Sequence, residues 1–173
     1  YRNGQSLVVT DVRQVPPECW PAALKGRSRM HYYLADRRAA AQEPGARALL
    51  LDREGRVAEA STANVLVTTA AEGLISPPDE KILHGISLDT VRELAGRLGI
   101  PFTQRDLTAD QVASANEVLL SSTPQCLLPV TRFGGRAIGG GVPGEVFGRL
   151  LGAWSEWVGL DIAAQAERFA ARR

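Results

Sequence analysis

The chain has 173 residues, 45% of them hydrophobic, with 20 Lys+Arg against 19 Asp+Glu and a formal net charge of +1. That size and apolar content suit one soluble domain with its own core, and the near-neutral charge argues against an electrostatic nucleic-acid or membrane surface. No apolar run approaches the ~20 residues of a membrane span, no signal-peptide h-region follows Tyr1, and the two cysteines, Cys19 and Cys126, lack metal-ligand spacing.

A reduced cytoplasmic protein is the natural reading of that cysteine usage. Only two of the basic residues are lysines, Lys25 and Lys81, so a lysine nucleophile has two candidates.

Ser6 to Arg13 is β-branched after the turn residues Asn3 and Gly4 and reads as a strand. Pro16, Pro17 and Pro21 make the next segment an extended loop that ends at Lys25-Gly26-Arg27-Ser28. From there Met30, Tyr33, Leu34 and Ala41 have helical spacing, which predicts a helix over Arg29 to Gln42 with Ser28 as N-cap and Pro44-Gly45 as its stop. Lys25 thus stands just before a helix. Taken alone it is also what an ordinary solvated lysine looks like.

Ala48 to Asp52, Val57 to Glu59, Val65 to Thr69 and Leu74-Ile75 read as short strands joined by tight turns, which suggests an antiparallel meander. Within it lies Ala58-Glu59-Ala60-Ser61-Thr62-Ala63-Asn64-Val65. One carboxylate is followed at once by small hydroxyl and amide residues between two β-like runs. Such a stretch can hold a charged heteroaromatic ring together with an anionic group, or it can be a polar turn between strands.

After Pro77-Pro78, Leu88, Val91, Leu94, Ala95 and Leu98 share one helix face, and Gly99 and Pro101 stop that helix. Gly85-Ile86-Ser87 therefore lies at a helix N-terminus, a ready anion site of free N–H groups and a hydroxyl, or else Ser87 merely caps the helix. Ile100 to Arg105 reads as a strand, and Thr108 caps a short helix. Glu117 to Ser121 is a buried strand running into a second hydroxyl cluster, Ser122-Thr123-Pro124. Leu127 to Phe133 continues extended, with Gly134-Gly135 as a hairpin-type turn. Val146 to Val158 is an amphipathic helix carrying Phe147, Leu150, Leu151, Trp154 and Trp157, the tryptophans being read as packing residues; Ile162 to Arg173 is a helical tail.

The order of motifs is specific. A lysine stands before a helix, followed by Val57-x-Glu59-x-Ser61-x-x-Asn64, then Gly85-Ile86-Ser87, then Ser122-Thr123 with Pro129-Val130. This order resembles the C-terminal large domain of the class IV aminotransferases, the fold-type IV pyridoxal-phosphate enzymes. They include branched-chain and D-amino-acid aminotransferases and aminodeoxychorismate lyases. The resemblance implies an α+β fold: a mostly antiparallel, barrel-like sheet with flanking helices, like the large domain of D-amino-acid aminotransferase.

It also implies roles. Lys25 matches the Schiff-base lysine that then moves a proton, and Glu59 the carboxylate facing the pyridine nitrogen of pyridoxal 5′-phosphate. Ser61 and Thr62 match the turn that helps hold the cofactor, Ile86 and Ser87 the phosphate-binding helix start, and Thr123 beside Ser122 the last phosphate contact. Lys81, beside Asp79-Glu80, would stay protonated by its carboxylate neighbours, so Lys25 is the better nucleophile.

The implied reaction moves an amino group between an amino acid and a 2-oxo acid, in a cytoplasmic homodimer without metal, nucleic acid or membrane partners. A lyase like aminodeoxychorismate lyase is the alternative, and a non-catalytic truncated or degenerate domain a third reading. Departures from the family pattern are Arg27 and Arg29 near the lysine, His84 before Gly85, and Gln125-Cys126 after Ser122-Thr123-Pro124. The two arginines either bind an acidic substrate or are solvated helix-start residues. His84 either edges the pocket or caps a loop. The smaller N-terminal domain of the family does not fit into Tyr1 to Leu24. The chain by itself is therefore expected to bind cofactor weakly or not at all and to be inactive.

Overall fold

A computed structural model describes residues 1–171. Among the described residues nine strands form one sheet: β1 (Gln5–Val9), β2 (Arg47–Leu51), β3 (Val57–Ala60), β4 (Asn64–Thr69), β5 (Gly73–Ser76), β6 (Phe102–Gln104), β7 (Glu117–Ser122), β8 (Cys126–Phe133) and β9 (Arg136–Ala137). Five helices flank it: α1 (Met30–Gln42), α2 (Ile86–Arg97), α3 (Ala109–Ala113), α4 (Glu145–Val158) and α5 (Ile162–Ala170). The expected tail helix is α5 as far as Ala170; residues 172 and 173 lie outside the described residues.

The strand order is β3-β2-β1-β8-β7-β4-β5-β6, with β9 paired to β8. The ladders β2–β3, β4–β5, β4–β7, β7–β8 and β8–β9 are antiparallel, while β1–β2, β1–β8 and β5–β6 are parallel. The sheet is mostly antiparallel, as the sequence implied, but it is not a meander. β3 and β4 meet only at an Ala60–Ala63 bridge, and each turns away to a different neighbour. A meander needs consecutive strands to pair; β2–β3 and β4–β5 do, but β3 is an edge strand and the other neighbour of β4 is β7. The sheet curls until its ends touch: the N–H of Val57, on edge strand β3, donates to the carbonyl of Leu107 just beyond β6, beside an Arg56–Thr108 bridge.

Alternation along the strands fills both faces of the curled sheet. Leu7, Leu49, Leu51, Val65, Val67, Ile75, Val118 and Leu120 point inward into one cluster, which also takes Val112 from α3. Their neighbours Val8, Ala48 and Leu50 point outward onto Ala35 and Ala39 of α1. Leu66, Leu74 and Leu119 point outward onto α2 and α4. Residues i and i+2 thus fill the barrel while i+1 receives the helices, so strands with two apolar faces are buried on both.

Local signals behave as their chemistry dictates. Thr108 accepts from the N–H of Gln111, whose side chain accepts from the N–H of Thr108, a complete capping box for α3. Gly134 and Gly135 take φ of 54° and 77° in the turn between β8 and β9, a conformation suited to glycine. One expected cap is displaced. Arg29, not Ser28, holds the N-cap position of α1, and its side chain makes no capping bond. Trp154 is buried, whereas Trp157 is 46% exposed and lies under the Arg97 guanidinium, 4.5 Å from its ring centroid.

Candidate active site

The site is built around the β3–β4 connection. Glu59 is the third residue of β3 and is only 3% exposed. Its Oε1 accepts hydrogen bonds from the Tyr32 hydroxyl and from Gln14 Nε2 at 2.7 Å, and its Oε2 from the N–H of Leu83 at 3.3 Å. Burial pushes its carboxyl well up from the ordinary range; the hydrogen bonds from Tyr32, Leu83 and Gln14 and the charge of Arg29 pull it only part of the way back. Asn64, at the other end of the same motif, donates from Nδ2 to the carbonyl of Leu83 at 2.8 Å. Glu59 and Asn64 therefore grip both backbone groups of one residue, and so hold the segment that leads into α2.

Gly85 is the N-cap of α2. A Cβ there would fall on Asn64 Oδ1, closer than real Cβ atoms approach, so the close packing of the two segments requires glycine. Ser87 lies inside the first turn, so it does not cap the helix. The N–H groups of Ile86 and Ser87 are among those for which a helix has no internal partner. The Ile86 side chain is 80% exposed, so its backbone is what it brings to the site.

The turn between β3 and β4 is held from beneath. Ser61 is fully buried; its hydroxyl donates to Asp36 Oδ1 at 2.6 Å, and the same oxygen accepts from the N–H of Ala48 at 2.9 Å. Arg47 donates to the Ser61 carbonyl and to Thr62 Oγ1, the latter at 2.9 Å. Burial draws the Arg47 guanidinium down from its ordinary value, and Asp36 opposes that. Thr62 sits at φ 61°, a left-handed conformation rare for a β-branched residue, and its side chain is thereby turned to the surface of the turn.

These parts face one cavity of about 1130 Å³. Lys25, Glu59, Thr62, Ile86, Ser87, Ser122 and Thr123 all line it. Ser61 does not: its hydroxyl is committed to Asp36 below the turn. Lys25 is exposed at the mouth, at the end of the Pro-rich loop. Lys81 lies elsewhere, bonded to Asp52 at 2.9 Å and Asp106 at 2.7 Å rather than to Asp79 or Glu80. Burial pulls Lys81 down, but those two carboxylates outweigh it and raise it overall, which keeps it protonated.

Arg29 lines the cavity and Arg27 does not. His84 does both things its position allowed: it edges the cavity and places Nε2 3.1 Å from the carbonyl of Asp79. Tyr32, Gln14, Asp36, Arg47, His31 and Ser121 are wall residues that sequence reasoning missed. Gln14, Tyr32, Asp36 and Arg47 have no local signal for the site, because each joins it through a partner distant in the chain.

Residues 1–133 match the family described as Amino-transferase class IV. The chain belongs to the class IV aminotransferases. It is 35% identical over 106 residues to a D-alanine aminotransferase of Bacillus licheniformis, covering 61% of this chain and 38% of that protein. It is 28% identical over 166 residues to a probable branched-chain-amino-acid aminotransferase of Thermotoga maritima, covering 91% of this chain and 60% of that one.

Among solved structures, it matches a T.th. branched-chain amino acid aminotransferase crystallised with pyridoxamine 5′-phosphate. The TM-score is 0.81 at 32% identity, over 86% of this chain and 49% of that one. The branched-chain amino acid aminotransferase of Escherichia coli matches with TM-score 0.82 at 26% identity, over 91% and 52%. This class IV chain thus spans about half the length of the solved relatives it resembles. Among its described residues no helix is long and apolar enough to cross a membrane, and no cluster of His, Cys, Asp and Glu could hold a metal ion.

Proposed function

We propose that this chain forms the cofactor-binding part of a pyridoxal-phosphate-dependent aminotransferase that moves an amino group between an amino acid and a 2-oxo acid. One observation carries the reading: Lys25, Glu59, the start of α2 and the Ser122-Thr123 strand end share one cavity. Three features of that cavity fit the cofactor. Glu59 is a buried carboxylate with no ion-pair partner among the described residues, so a protonated pyridine nitrogen supplies the cation that burial asks for. Ser121 Oγ is buried on the wall without a hydrogen-bond partner among the described residues. The α2 N-terminus offers free N–H groups beside the Ser87, Ser122 and Thr123 hydroxyls, the donor set that a phosphate dianion takes.

Bound pyridoxal 5′-phosphate supplies an electron sink for the carbanion at the substrate Cα. The protein's part follows from where its side chains lie. Lys25 would be the amine that holds the cofactor, and its Nζ would serve as the base that moves a proton to and from the substrate. Its place at the end of a Pro-stiffened loop, at the cavity mouth, lets it do both without entering the core. Glu59 would hold a proton on the pyridine nitrogen. Thr62, Ser122 and Thr123 with the N–H groups of Ile86 and Ser87 orient the phosphate.

The experiment is an absorbance titration of the intact protein with pyridoxal 5′-phosphate. The expected result is the visible band of lysine-bound cofactor, lost in Lys25→Ala. An unchanged spectrum in that variant removes Lys25 from its role.

A further inference from the structure

We propose that Tyr32, seconded by Gln14, is the positioning residue for Glu59: the two donors occupy Oε1 and leave Oε2 as the oxygen presented to the pyridine nitrogen. The inference rests on the pyridoxal-phosphate reading of this cavity and adds residues to it.

The geometry has three parts. A carboxylate oxygen offers two in-plane lone pairs. Oε1 of Glu59 already accepts from the Tyr32 hydroxyl and from Gln14 Nε2 at 2.7 Å, so it has no lone pair to spare. Among the described residues Oε2 accepts only from the N–H of Leu83, at 3.3 Å, which is long for such a bond and leaves one lone pair open. Gln14, Tyr32, Glu59 and Leu83 all line the cavity, and the hydrogen bonds leave the open lone pair on Oε2, the oxygen on the Leu83 side.

The donors are themselves held. Tyr32 comes from the first turn of α1, packs against the cluster of Val8, Ala35, Ala39 and Leu50, and has its ring 3.9 Å, centroid to centroid, from that of His31. Gln14 is fixed by its backbone N–H, which donates to the carbonyl of Leu51 at 3.0 Å. Two separate elements, the segment after β1 and the start of α1, thus converge on one oxygen of a carboxylate carried by β3.

The chemistry needs this arrangement. An anion buried to the extent of Glu59 is costly unless donors solvate it. Tyr32 and Gln14 solvate Oε1 with neutral groups, so the carboxylate can stay ionised without a protein cation competing for the ring. Burial and the neighbouring carboxylate push the Tyr32 phenol up, which favours its protonated, donating form. Among the other charged or titratable groups of this cavity, Arg29 acts on Glu59 through its field, and Lys25, His31 and His84 lie on the same walls.

The test uses the intact protein, with Tyr32→Phe as the main variant and Gln14→Leu as the second should the first fail to fold. Without cofactor, the Glu59 carboxyl is titrated by ¹³C NMR, its signal assigned by loss in Glu59→Gln. Either variant is expected to weaken its acid dissociation by roughly tenfold, the worth of one hydrogen bond to a charged group. With ¹⁵N-labelled pyridoxal 5′-phosphate bound, the ring nitrogen signal is expected to move from the protonated towards the unprotonated position in Tyr32→Phe. Cofactor affinity is expected to fall roughly tenfold.

A Glu59 titration and a ring nitrogen signal both unchanged in the two variants would overturn the positioning role. A wild-type protein that forms no lysine-bound band would instead overturn the cofactor reading, and with it the role of Oε2. The cofactor-free titration separates the two failures.

Discussion

Asp36→Ala tests the support beneath the cofactor turn. Asp36 Oδ1 accepts from the Ser61 hydroxyl at 2.6 Å and from the N–H of Ala48 at 2.9 Å, and both donor residues are fully buried. Neither can turn to water when the carboxylate goes. Each hydrogen bond to a charged acceptor contributes roughly 1.5–3 kcal/mol, so losing both costs about 3–6 kcal/mol, a large share of the ~5–15 kcal/mol of a typical domain. Arg47 also loses the carboxylate that offsets its burial.

The assay is urea unfolding followed by tryptophan fluorescence, since Trp154 is buried and reports on the core. Asp36→Asn keeps a carbonyl acceptor and is expected to lose only about 1–2 kcal/mol. The double variant Asp36→Ala with Ser61→Ala removes one stranded donor and is expected to recover about 1 kcal/mol relative to Asp36→Ala alone. A loss below about 1 kcal/mol in Asp36→Ala, the worth of one ordinary hydrogen bond, would refute the reasoning.

The remaining predictions concern charge and capping. In the folded protein without cofactor, burial holds the Glu59 carboxyl above its ordinary value of 4.5. Between those two values the folded state binds a proton that the unfolded state has released, so stability falls as pH rises through that window and stays reduced above it. Glu59→Gln is therefore expected to melt higher than wild type at pH 7–8, by about 2–4 °C per kcal/mol relieved, with the gap closing as pH falls towards 4.5; thermal melts across pH measure it. Glu117 accepts from the N–H groups of Val146 at 2.8 Å and Phe147 at 2.9 Å, so it caps α4 from another element. Glu117→Ala is expected to cost about 2 kcal/mol in urea unfolding, and Glu117→Gln about half that.

Much of this protein is written locally. The capping box of Thr108 and Gln111, the paired glycines after β8 and the apolar faces of α2 and α4 depend on neighbours within a few residues, so periodicity and turn chemistry reveal them. The order of the lysine, the Glu59–Asn64 motif, the α2 start and the Ser122-Thr123 strand end is equally a property of the chain, and it pointed to the class IV aminotransferases before any fold was known.

Only the tertiary structure decided the rest. It paired β4 with β7 and left β3 at the sheet edge, which broke the expected meander between β3 and β4. It also turned Ser61 under the turn onto Asp36 and brought Tyr32 and Gln14 to Glu59. The reason is separation: Tyr32 lies 27 residues and Gln14 45 residues from Glu59, and a pairing across such distances leaves no period, cap or turn signal in the sequence. The sheet supplies that information by closing on itself, and the partners of the central carboxylate become legible only then.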